Sequence, residues 1–75
     1  MDLRHNLAVN LLRLRREREL PQDKFAAEIG IHRTYLNHLE NRKRSPTIDV
    51  IEKIMDALDV DVNELLGEPS KGDQG

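Results

Sequence analysis

The chain has no cysteine and no tryptophan among its 75 residues, and Phe25 and Tyr35 are its only aromatics. Without cysteine, neither a disulfide nor a thiolate metal site can reinforce the fold. With so few aromatics the core must be assembled from Leu, Ile, Val and Ala, a composition that suits helices. Apolar runs are short as well. None nears the roughly 18 residues of a membrane span, and the opening "MDLRHNLAVNLLRLRRERE" lacks the charged, apolar and small order of a leader. The expectation is a soluble, cytoplasmic protein with no membrane partner. Catalytic furniture is missing too. His5, His32 and His38 have neither i, i+4 spacing nor clustered carboxylates, Ser45 and Ser70 stand in a loop and in the tail, and no glycine-rich phosphate cradle is present. No enzyme activity, metal or cofactor is expected.

What the chain does have is charge, unevenly spread. Charged residues make up 35% of it and the net charge is −2. Residues 1–44 hold ten Lys and Arg against six Asp and Glu, whereas residues 45–75 hold two against eight. A basic front and an acidic back suit a body that turns one face to a polyanion, although a solvated helix face of mixed charge would read the same way.

Apolar spacing divides the chain into five helices. Leu7, Leu11 and Leu14 form one stripe, extended by Leu3, and this segment should stop near Glu19, ahead of "LP" at Leu20 and Pro21. Gln22 to Ile29 buries Phe25, Ala26 and Ile29 and ends at Gly30, which can take a left-handed cap. The third segment, about Arg33 to Asn41, puts Tyr35, Leu36 and Leu39 on one side and Arg33, Thr34, Asn37, His38 and Asn41 on the other. Thr47 caps a fourth helix carrying Ile48, Ile51, Met55 and Leu58. Asp61 and Glu64 have capping-box spacing for a fifth that ends at Gly67.

The expected fold is all-α, a compact five-helix domain over residues 1–67, with "EPSKGDQG" at 68–75 as a disordered tail. The second and third segments are joined by about three residues with a glycine at the bend, the sequence form of a helix-turn-helix. If the apolar side of the third helix packs inward, its polar side protrudes and fits a DNA major groove about 12 Å wide.

The ordered set "LR" at Leu14–Arg15, "LPQ" at Leu20 to Gln22, "FAAEIGI", "YLNHLEN" and "SPTIDVIEKIMDALDV" resembles the Cro and phage-repressor type of helix-turn-helix, the XRE family. The likeness covers about residues 7–66 and extends to stand-alone phage repressors and restriction-modification controllers. It implies a lambda-repressor-like bundle that binds double-stranded DNA and regulates transcription.

By that resemblance Arg33, Thr34, Asn37 and His38 read base edges. Arg33 offers the fork for guanine O6 and N7, worth about 1–3 kcal/mol against a wrong base. Thr34 offers a methyl or a hydroxyl, and His38 meets either a base acceptor or the backbone. Gln22, Asn41, Arg42, Lys43 and Arg44 match the family's phosphate contacts, which position the protein without reading sequence. Tyr35 belongs to the core, with its hydroxyl near a phosphate. Arg15 and Glu40 resemble a pair that bridges the first and third helices as scaffold.

Three positions depart from the family. Pro21 and His32 stand where a hydroxyl cap is usual, each cap being worth about 1 kcal/mol. Arg42 stands where glycine is common, so either Arg42 is left-handed or the loop takes another path. Val60, Val62, Leu65 and Leu66 are the expected homodimer interface, and a twofold dimer would prefer a pseudo-palindromic operator. The chain is too small for a separate sensing domain, so no small-molecule ligand is expected. The competing expectation is a protein-interaction module, such as the antitoxin of a toxin–antitoxin pair, using the acidic back half.

Overall fold

Four side chains able to accept a hydrogen bond stand one residue ahead of a helical run, and each starts a helix. Carboxylates of Asp2 and Asp61, the Thr47 hydroxyl and the His32 imidazole accept from the backbone N–H groups of His5, Glu64, Val50 and Thr34, at 3.1, 2.8, 3.2 and 3.3 Å. In the computed structural model, which describes residues 2–69, the helices are α1 (Leu3–Glu17), α2 (Gln22–Ile29), α3 (Arg33–Glu40), α4 (Ile48–Leu58) and α5 (Val62–Leu66). All regular structure among the described residues is helical. Residues 70–75 of the expected tail lie outside the described residues. Pro21, ahead of α2, provides no side-chain cap, as its lack of a hydroxyl predicts. His32 corrects the same expectation, since a ring nitrogen does what a serine oxygen would do.

The first four helices end alike. A left-handed residue, Glu19 (φ 53), Gly30 (φ 88), Arg42 (φ 60) or Asp59 (φ 55), turns the chain. The next N–H then returns to the carbonyl five residues back: Leu20 to Arg15, Ile31 to Ala26, Lys43 to His38 and Val60 to Met55. This is the Schellman closure, which satisfies carbonyls that a helix end otherwise leaves orphaned. Leu20, Ile31 and Val60 also fold onto the core as its apolar seal. Only Gly30 adopts the conformation without strain.

The core is continuous: Leu7, Leu11 and Leu14 of α1 meet Phe25, Ala26 and Ile29 of α2, Leu36 and Leu39 of α3, Ile51, Ile54 and Leu58 of α4, and Leu65 of α5. Phe25 is fully buried, and burying a side chain of that size contributes about 1.5–3 kcal/mol. Two expected core positions stay outside. Leu3 is 49% exposed and Ile48 is 75% exposed, because each begins its helix beyond the reach of its neighbours. Ile54, one turn after Ile51, fills the inner face of α4 instead.

Two asparagines fasten α5 to α1. Asn6 Nδ2 donates to the Leu66 carbonyl (3.1 Å), and Asn10 Nδ2 donates to those of Leu65 (2.8 Å) and Gly67 (3.0 Å). Both are buried, and they satisfy helix-end carbonyls that burial would otherwise leave unpaired. At Gly67 the chain runs so close to the Asn63 carbonyl that a Cβ there would collide with it.

Candidate nucleic-acid interface

Three residues, Gly30, Ile31 and His32, separate α2 from α3. So short a bend works because Gly30 is left-handed, with both its own N–H and that of Ile31 held by the Ala26 carbonyl (2.8 and 3.0 Å). The Gly30 carbonyl in turn accepts from Nζ of Lys53 on α4 (3.1 Å). The turn is thereby tied to the body behind it.

On α3 the inward positions are Leu36, Leu39 and Glu40, all buried. A carboxylate in that company needs partners, and it has three donors. Arg15 Nε gives a bond of 2.9 Å to Oε2, Arg15 Nη2 one of 3.3 Å to Oε1, and Gln22 Nε2 one of 2.7 Å to Oε1. The Arg15 guanidinium also donates to the Leu20 carbonyl at 3.2 Å. One acidic side chain therefore joins α1, α2 and α3, and the expected Arg15–Glu40 bridge is present in bidentate form.

Gln22 is turned toward this network. Its amide nitrogen donates to Glu40, which ties the start of α2 to α3. The first-turn backbone of α2 receives no side-chain cap from Pro21.

The opposite side of α3 is open. Arg33 and Thr34 are exposed, and Asn37 and His38 are half-buried on the same side. Asn41, Arg42, Lys43 and Arg44 follow, all exposed. Asn41 Nδ2 donates to the Asn37 carbonyl (2.8 Å), closing the end of the helix. Arg42 is left-handed, which decides between the two loop paths that its sequence left open. The Arg44 guanidinium lies 5.8 Å from the centre of the Tyr35 ring, a cation–π contact, while Tyr35 packs against the core. Arg42 Nη1 lies 2.9 Å from His5 Nδ1, which brings the first turn of α1 beside the loop.

The eight residues expected to meet DNA from α3 and its loop are thus exposed or half-buried, and four of them, Arg33, Arg42, Lys43 and Arg44, are exposed cations. Gln22 and His5 carried no sequence signal for their contacts with Glu40 and Arg42, because those partners lie 18 and 37 residues away along the chain.

The expected dimer residues divide. Val62 is 56% exposed, and Val60 and Leu66 are half-buried. Leu65 is fully buried, so it anchors α5 to the core and is removed from any surface. Among the described residues no group of three or more His, Asp or Glu could hold a metal ion, and no helix is long and apolar enough to cross a membrane.

Comparison with known proteins adds to this geometry. The helix-turn-helix family matches residues 11–65. Control protein C.MunI of Mycoplasma sp is 35% identical over 93% of this chain and 96% of its own length. Control protein C.SmaI of Serratia marcescens is 33% identical over 100% and 90%. An HTH-type transcriptional regulator of Sinorhizobium fredii, y4dJ, is 38% identical over 88% and 86%. Among solved structures, the hypothetical transcription factor NHTF from Neisseria superposes with a TM-score of 0.83 at 34% identity, covering 91% of this chain and 78% of that one.

Proposed function

Since the chain belongs to the helix-turn-helix family of XRE-type DNA-binding transcriptional regulators, we propose that it acts by occupancy, binding a pseudo-palindromic operator as a homodimer with one α3 in the major groove of each half-site. The chain is a regulator rather than an enzyme. The observation that supports the reading is the division of α3, with Leu36, Leu39 and Glu40 bound into the body and Arg33, Thr34, Asn37 and His38 on the open side. In this reading those four residues contact base edges. Asn41, Arg42, Lys43 and Arg44 meet phosphates, and the uncapped backbone at Gln22 adds another phosphate contact. The protein works in the cytoplasm on duplex DNA and needs no cofactor.

Length argues for two copies. The eight residues of α3 span about 12 Å at 1.5 Å per residue, roughly four base pairs of duplex at 3.4 Å each. A site that short recurs too often to be found in a genome, and a twofold dimer doubles it with half-sites about 34 Å apart. Val60, Val62 and Leu66 are the apolar residues of the α5 end that remain reachable for that contact.

Selection of bound duplexes from a random pool at about 150 mM salt, where non-specific binding is weak, tests this directly. A two-fold symmetric motif is expected. Enrichment of an unsymmetric half-site would remove the dimer, and no enrichment with a copurifying protein would favour an interaction module instead.

A further inference from the structure

Arg42 is held from an unexpected quarter. Its guanidinium reaches the first turn of α1, 37 residues earlier in the chain, where Nη1 meets Nδ1 of His5 at 2.9 Å. A guanidinium has five N–H donors, no acceptor and a permanent charge, so Arg42 donates and His5 accepts. That assignment fixes the imidazole as the tautomer with its proton on Nε2. Both side chains are exposed, and a bond so open to water does little for the fold. What it does change is the freedom of a long cation at the edge of the basic surface. Arg4, Lys43 and Arg44 are exposed in the same stretches of chain, while the neighbouring carboxylate, Asp2, is engaged with the His5 backbone N–H.

We propose that His5 is a positioning residue for DNA binding: by accepting from Arg42 it presets the guanidinium to meet a backbone phosphate, and so joins the first turn of α1 to the contact surface of α3 and its loop. The inference rests on the duplex-binding reading above. Its physical basis is preorganisation. Ordering one rotamer-rich side chain on binding weakens affinity by about two- to tenfold, and a side chain already held avoids that loss.

The test is titration of a labelled duplex carrying the selected operator, and of a random duplex of equal length, at several salt concentrations and one pH. Arg42→Ala is expected to weaken both duplexes and to lower the slope of log affinity against log salt by about one. His5→Ala should weaken both by about two- to tenfold with an unchanged slope, because the phosphate contact survives but is no longer preset. In the Arg42→Ala background His5→Ala should have no further effect. His5→Asn, whose amide can place an acceptor where Nδ1 sits, should restore binding. Wild-type affinity in His5→Ala, or a loss that persists in full without Arg42, overturns the proposal while leaving duplex binding standing. Failure of the wild-type chain to bind either duplex overturns both.

Discussion

Replacing Glu40 by alanine tests the joint on which the interface depends. Its side chain is 3% exposed and takes two bonds from Arg15, whose own side chain is 21% exposed, and one from Gln22. Removing the carboxylate strands the guanidinium beside a cavity, and breaking a buried pair in this way costs about 3–5 kcal/mol. A domain of this size has about 4–11 kcal/mol of total stability at 0.05–0.15 kcal/mol per residue, so about a quarter or more would be lost. At about 4–8 °C per kcal/mol, Tm should fall by about 12 °C or more. Arg15→Ala should cost a similar amount, and the double variant less than the sum of the two by at least about 1 kcal/mol, because no charge is then left stranded. Urea melts followed by circular dichroism measure all three. Losses below about 1 kcal/mol for either single variant, or simple additivity, would show that the pair behaves as an exposed one and that the helices are joined by apolar packing alone.

The other predictions concern the readout, the backbone and the ends of the domain. Arg33→Ala should relax base preference at one operator position at a cost of about 1–3 kcal/mol, whereas Lys43→Ala should weaken all sequences alike and lower the salt slope by about one; equal losses from Arg33→Ala on every duplex would remove it from the readout. Glu19→Gly, at φ 53, should stabilise the domain by about 0.5–1 kcal/mol, the relief of left-handed strain less the extra entropy of an unfolded glycine; a lower Tm would contradict it. Asn10→Ala should destabilise by about 1–3 kcal/mol by leaving the Leu65 and Gly67 carbonyls unpaired, as read from thermal melts. Val62→Glu should yield folded monomers by sedimentation, whereas Leu65→Glu should unfold the chain; a Val62→Glu protein that still dimerises would exclude this end of α5 from the interface.

What the sequence determined on its own was everything decided within one turn of chain. Helix starts at Thr47 and Asp61, the bend at Gly30 and the inward stripes of α1 and α3 depend on groups three or four residues apart, so spacing and capping chemistry suffice to place them. The ordered motifs from Leu14 to Val60 resembled one family, and the family match over residues 11–65 agrees. Three local features still escaped, the first being the His32 ring that caps α3 through the Thr34 N–H. Glu19 and Asp59 turn left-handed without glycine to announce it, because tertiary packing of Leu20 and Val60 offsets the strain.

Tertiary structure alone decided the partners of polar side chains. Gln22 faces Glu40 across 18 residues, Arg42 meets His5 across 37, and Asn10 reaches Leu65 across 55. A hydrogen-bonding group in a sequence can serve a ligand or a neighbour equally well, and only its position in the folded chain selects between them. The same holds for adjacent leucines in α5. Five residues are too few for a period to separate Leu65, fully buried, from Leu66, half-exposed, and the packing of that short helix against α1 made the choice.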